Sequence, residues 1–503
     1  MAPRRSIFYS TVMLTAVHLL LRLVGTSFQV YLSSRIGAEG IGLLQLTLSA
    51  GNFAMIAGIA GIRTTTMYLT AEELGKERKD TIPWVLSGCI RYALITGGTV
   101  ALLMTALAPT IAEGMIGQAE TVHSLRLYAG SLCVNCLCGV MTGYFTAESR
   151  IGTLAAVEVA EQLLSMTVTV TCLAFWAGTD PGRACESVIL GSSAGACLTL
   201  LCLTVLRILE KGTCGPRIPV RRRLTATAIP LALADILRSG IGTLENMMVP
   251  RRLALAQGIR SPLASFGILT GMVFPVLMFP ACILHALADL LIPELARSAA
   301  REDKVRIRHL VSKCLMIALL YGVFFGGGMF LVAQDLCLRL FKEPEAGTVL
   351  KRYALLLPML YCDTLVDAMT KGLGQQRVCV RYNIITSALD IAGLYLLLPR
   401  YGMDGYFLSF FVTHLINFLL SIRRLLTIAG LTPDTKKGIS TILSGIMCTI
   451  LCAPVPVPWM RVMLFAVCLY CMLTVFGVLR SDDITWLKIT LFPRSRKKRP
   501  FLS

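Results

Sequence analysis

Residues 314–333 read CLMIALLYGVFFGGGMFLVA, twenty positions without a charged side chain. As a helix rising 1.5 Å per residue, that stretch is about 30 Å long, the thickness of a bilayer's hydrocarbon core. No strand reading fits it, because strands end after fewer residues and alternate polar with apolar positions. Runs of this kind recur along the whole 503-residue chain, which is 55% apolar and only 15% charged, with a mean hydropathy of +0.70. A soluble domain carries about 25% charged residues, so this chain could not solvate its surface as a water-soluble globule. The expectation is an all-α polytopic membrane protein.

Fourteen spans are expected, at 7–32, 41–70, 83–108, 122–145, 151–177, 185–209, 224–249, 262–292, 309–333, 350–370, 378–398, 403–422, 438–453 and 459–479. The first follows Arg4 and Arg5 and runs on to Leu32. That is too long for the apolar core of a signal peptide, so it is read as an uncleaved helix. Two proline residues, Pro275 and Pro280, should kink the eighth span. The connections are short, which leaves no room for a soluble catalytic domain. The eighteen cysteines lie mostly within apolar runs, where they are read as small packing residues and not as a disulfide or metal framework.

The 48 Lys and Arg against 29 Asp and Glu give a net charge of +19. In a soluble protein such an excess would suggest nucleic acid. Here the basic residues gather in alternate connections, above all 210–223, 293–308 and the tail containing Arg494–Arg499. That bias predicts both termini in the cytoplasm. Arg251–Arg252 and Arg339–Arg352 are basic clusters on the expected outer side and run against the trend.

An internal repeat is legible. Leu125-Arg126-Leu127-Tyr128-Ala129 returns 225 residues later as Leu350-Lys351-Arg352-Tyr353-Ala354. The same offset carries Cys89, Ala93, Leu94 and Gly97 onto Cys314, Ala318, Leu319 and Gly322. An even number of spans per copy inserts both copies the same way up. The expected architecture is therefore two parallel six-helix lobes plus two C-terminal helices, with a substrate site between the lobes. In residue terms this means an N-lobe over 1–209, a basic cytoplasmic linker over 210–223 and a C-lobe over 224–428. Helices 13–14 then occupy 429–480, and a basic cytoplasmic tail 481–503.

Charged residues at membrane depth are costly unless they face a partner or a wet cavity. Arg22 lies about 22 Å along its helix from Ile7, and Arg238 about 21 Å from Leu224. His18, Arg22, Thr26 and Gln29 share one helical face, and Asp235, Arg238 and Glu245 form a stripe on the seventh helix. His18, Arg22, Gln29, Arg238 and Glu245 are accordingly candidates for a substrate cavity. Guanidinium groups suit phosphate, because their planar fork donates two parallel hydrogen bonds. Asp235, Asp390 and Asp367 are candidates for coupling to a proton or sodium ion. Local alternatives stay open: Arg238 with Asp235, Asp367 with Lys371, and Asp390 or Arg22 with a partner on another helix. HExxH and Walker patterns are absent from the sequence, and no catalytic residue, metal or cofactor is expected.

Several stretches resemble a known family. Gly37-Ala38-Glu39-Gly40-Ile41-Gly42-Leu43 resembles the loop into helix two of bacterial polysaccharide-export flippases. Thr243-Leu244-Glu245-Asn246, Pro250-Arg251-Arg252-Leu253 and Leu291-Ile292-Pro293-Glu294 are similar to the stage V sporulation protein B family. Gly372-Leu373-Gly374-Gln375 and Tyr401-Gly402-Met403-Asp404-Gly405 match the family's C-lobe pattern. The resemblance spans most of 5–480 and implies the multidrug/oligosaccharidyl-lipid/polysaccharide superfamily, a two-lobed, alternating-access fold. It implies a transporter and not an enzyme: a flippase for an undecaprenyl-pyrophosphate-linked saccharide such as a peptidoglycan precursor, serving cell-wall synthesis or sporulation. By location, Arg22 and Arg238 match the cavity arginines of lipid II flippases. Membrane lipids, a coupling ion and cell-wall synthesis enzymes are the partners this implies, with no nucleic acid. Two alternatives remain: a drug–cation antiporter of the same superfamily, or a membrane-embedded glycan polymerase or transferase.

Overall fold

The computed structural model describes residues 4–177, 180–209, 215, 220–259, 261–432 and 434–478. The expected basic tail 481–503 and most of the 210–223 linker lie outside the described residues, as do the side chains of 4–16 and of His18. Among the described residues every regular element is a helix. In chain order these are α1 (Arg4–Ile59), α2 (Ile62–Gly75), α3 (Ile82–Ile111), α4 (Thr121–Ala147), α5 (Ile151–Cys172), α6 (Pro181–Leu209) and α7 (Arg221–Leu253). There follow the short α8 (Pro262–Gly267) and α9 (Phe274–Met278), then α10 (Ala281–Ala300) and α11 (Lys304–Phe341). The last are α12 (Pro344–Ala354), α13 (Leu357–Gly372), α14 (Gln376–Ala429), α15 (Thr435–Cys452) and α16 (Pro458–Val475). Nine of the described helices are long and apolar enough to cross a membrane. A tenth span is a pair, Pro262–Met278 and Ala281–Ala300, bent by 60° where Pro280 stands. The chain is a multi-pass, all-α membrane protein.

Two of the long helices each hold two of the expected spans. In α1 the break falls at Gly37 (φ 71°, ψ 179°), and in α14 at Gly402 (φ 56°, ψ −133°). Both are left-handed conformations that a Cβ disfavours, and both open a Gly-x-acidic-Gly turn. Between α8 and α9, residues Ile268–Val273 form a π-helical stretch, a widened turn that leaves backbone groups to be satisfied from elsewhere.

Two compact units emerge. The first comprises the residues up to Cys282 with Leu340–Lys342 and Asn383–Thr413. The second comprises Ile283–Arg339, Glu343–Tyr382 and the residues from His414 onward. The first unit is built on a core in which Ile62, Val85, Cys89, Tyr144, Leu203 and Leu224 meet. Its close approaches use small residues: a Cβ at Gly97 would stand 2.8 Å from Cys136 Sγ, so α3 and α4 touch there without a side chain between them. The second unit has its own apolar cluster around Leu331, Cys448, Phe465 and Leu469.

Repeat-related positions are buried alike in their own units. Cys89 and Ala93 of α3 are fully enclosed, as are Cys314 and Ala318 of α11. Leu125, Tyr128 and Ala129 of α4 match Leu350, Tyr353 and Ala354 of α12 in the same way. Similar letters thus mark similar packing duties.

Candidate functional site

The feature of the first unit that packing alone does not explain is a pair of acids. Asp390, on α14 about 21 Å from Gln376 at 1.5 Å per residue, is buried. Ser409, in the part of α14 beyond the Gly402 break, donates its hydroxyl to Asp390 Oδ1 at 2.7 Å. Thr413, one turn further on, donates to the same oxygen at 3.2 Å. Gly393 makes the first of these contacts possible, since a Cβ there would lie 2.4 Å from Ser409 Oγ. The second carboxyl is Glu245 of α7, which shares a side-chain hydrogen bond with Asp390. Neither acid has an ion pair with Lys or Arg among the described residues.

This arrangement constrains the chemistry. A carboxylate accepts hydrogen bonds and donates none, so two of them meet only with a proton between them or a cation beside them. Two bare charges side by side in a low-dielectric interior would repel strongly. The available donors are all hard oxygens: carboxyl groups and the hydroxyls of Ser409 and Thr413. They suit a proton or an alkali cation better than a thiophilic metal. Among the described residues no group of three or more His, Cys, Asp or Glu side chains is placed to hold a metal.

Contacts of α7 with α14 and with α1 flank the pair. Arg252 stacks its guanidinium on the Tyr395 ring, 3.2 Å from the centroid. Asn246 Nδ2 donates to Ser49 Oγ at 3.1 Å, and Thr243 Oγ1 donates to the Ser49 carbonyl at 3.3 Å, fixing α7 against α1.

The other candidates have different surroundings. Gln29 donates its amide to the Gly271 carbonyl at 3.2 Å, satisfying a backbone group of the π-helical stretch. Arg22 and Arg238 are both exposed, and neither meets a carboxylate among the described residues. Asp235, three residues from Arg238, is likewise exposed and forms no ion pair with it. Next to Arg22, Gln162 of α5 donates to the Leu21 carbonyl at 3.1 Å. Asp367, in the second unit, binds Lys371 one turn along α13 at 2.5 Å. The structure therefore brings Glu245 and Asp390 together, and gives Asp367 the local partner that its spacing allowed.

Ser409 and Thr413 were not among the sequence candidates. Their i, i+4 spacing puts them on one helix face, but hydroxyls are common in such helices and usually bond their own backbone, as Thr413 also does to the Ser409 carbonyl. A further unforeseen group is Arg223 of α7, which binds Glu72 Oε2 at 2.6 Å and Glu73 Oε1 at 2.9 Å. Glu73 is buried and takes a further hydrogen bond from Thr81 at 3.0 Å.

Together these features define a polytopic, all-α membrane protein, and its fold is shared with solved flippases and transporters. No family model matches the chain. Stage V sporulation protein B of Bacillus subtilis is 22% identical over 459 residues, 86% of each chain. A solved lipid II flippase, MurJ in an inward closed conformation, superposes with a TM-score of 0.72 at 12% identity, over 92% of this chain and 98% of that one. An inward-facing multidrug resistance MATE family transporter gives 0.66 at 14% identity, over 82% and 100%. The resemblance to stage V sporulation protein B over most of the chain is thus borne out.

Proposed function

We propose that the protein is a flippase that carries a lipid-linked saccharide with an anionic phosphate head, an undecaprenyl-pyrophosphate-linked peptidoglycan precursor fitting best. The observation that carries this reading is the state of Arg22 and Arg238, two guanidiniums at membrane depth, exposed and unmatched by acid among the described residues. Facing lipid they would be costly, so a wet cavity and an anionic cargo account for them better. Glu245 and Asp390 supply the coupling site: loading a proton or sodium ion there removes the repulsion between the acids and lets α7 and α14 close on each other. Release separates them again, and alternating access follows from that cycle. The likeness to stage V sporulation protein B supports a role in sporulation, and the basic residues in alternate connections support a cytoplasmic-membrane protein with both termini inside.

The acid pair also favours a second reading, a drug–cation antiporter, since carboxyls are what a cationic cargo would seek. Reconstitution into proteoliposomes decides between them. Movement of a lipid-linked oligosaccharide without efflux of a cationic dye is expected. Dye efflux without lipid movement would refute the flippase.

A further inference from the structure

Apart from the acid pair, the first unit carries a groove of about 660 Å³ between α3 and the start of α7. One face of α3 lines it: Trp84, Ser87, Gly88, Arg91, Tyr92 and Ile95 follow one another at helical spacing. Arg221 and Thr225 of α7 line the opposite wall, with Val220 and Leu224 of the apolar core as the floor. Gly88 lets the two helices approach, since a Cβ there would stand 3.2 Å from Val220.

The distribution of polarity along this groove is that of a lipid molecule. At its mouth Trp84 donates Nε1–H to the Gly215 carbonyl at 2.9 Å, an amphipathic ring at the level where aromatic belts mark the membrane interface. Arg91 turns back toward that end, its Nη2 reaching Ser87 Oγ one turn earlier at 3.3 Å. Both Arg91 and Arg221 are exposed and have no carboxylate among the described residues. Arg223, two residues on, is already occupied by Glu72 and Glu73. Beyond the two guanidiniums the wall turns apolar at Ile95, which is 69% exposed, and past the groove α3 continues to Leu102, 75% exposed. Charge and aromatic groups at one end and bare apolar surface at the other fit a phosphate head with acyl chains above it.

We infer that this groove is a binding site for an anionic glycerophospholipid of the leaflet in which α3 begins, with Arg91 and Arg221 clamping the phosphate. The inference needs only that α3 crosses the bilayer, and it does not depend on the identity of the transported cargo. Each arginine should be worth about fivefold in lipid retention, the usual effect of a basic residue at an anionic surface.

The test uses the full chain in nanodiscs carrying a photoactivatable phosphatidylglycerol or a phosphatidylcholine probe with the same acyl chains. Peptides covering 84–95 should be labelled by the phosphatidylglycerol probe, and unlabelled phosphatidylglycerol should compete while phosphatidylcholine does not. Arg91→Gln with Arg221→Gln should lower the labelling about twenty-fivefold. Lysine at both positions should retain most of it, and Arg222→Gln, outside the groove, should leave it unchanged. The competition uses the wild-type chain alone, so it stands even if the double variant fails to fold. Equal labelling by both probes, or undiminished labelling of a folded double-glutamine variant, would overturn the inference. So would undecaprenyl phosphate displacing the probe more strongly than phosphatidylglycerol, because the groove would then be a cargo entrance.

Discussion

Arg22 has an exposed guanidinium, the Thr26 hydroxyl hydrogen-bonded to its carbonyl, and no acid beside it. Its charge is therefore available to a phosphate. Arg22→Ala should abolish transport of a pyrophosphate-linked lipid in proteoliposomes while the protein still inserts. Lysine should rescue it only partly, because it brings the charge without the fork. Full transport by the alanine variant would remove the anionic-cargo mechanism. The acids make a different demand. Glu245→Gln and Asp390→Asn each leave a hydrogen bond possible without a shared proton, so transport should lose its dependence on an imposed proton or sodium gradient. A gradient response that persists in both variants would show that the coupling ion binds elsewhere. Asp390 was legible in the sequence as an acid at mid-membrane. Its partnership with Glu245, 145 positions away, was not, since no local spacing joins two residues on separate helices.

At the scale of the element, the turns at Gly37 and Gly402 hold a left-handed glycine where two spans meet without a loop. A Cβ in that conformation costs about 1–2 kcal/mol. Gly37→Ala and Gly402→Ala should each lower the thermal midpoint of the detergent-solubilised protein by a few degrees, whereas Gly75→Ala, where a Cβ meets nothing within 4 Å and φ is ordinary, should not. The tie from α7 to the end of α2 should behave more steeply. Arg223→Ala leaves the buried Glu73 without its counter-charge, and its loss should exceed that of Arg222→Ala by roughly 2 kcal/mol in the same unfolding measurement, below the 3–5 kcal/mol of a fully buried pair because Arg223 is 39% exposed. The glycine turns could be read from the chain because their motif is contiguous. The Arg223 tie could not, because the sequence shows only one basic connection and one acidic-basic turn, 150 residues apart.

For the molecule as a whole, the excess of basic residues in alternate connections predicts a cytoplasmic 210–223 segment. Cysteine introduced at position 222, in a background cleared of the eighteen native cysteines, should resist membrane-impermeant labelling in intact cells. Outside labelling would invert the topology. The all-α, multi-pass character, the bend at Pro280 in the eighth expected span and the glycine turns were legible in the sequence alone. Each rests on hydrophobicity summed over twenty neighbouring residues or on a backbone need local to one glycine or proline. Which polar groups meet within the membrane was decided by the tertiary structure. Glu245 lies against Asp390, Gln29 serves a π-helical carbonyl, and Arg91 and Arg221 share one groove. In lipid a buried polar group must find its partner across helices, and helix packing sets that distance while spacing along the chain does not.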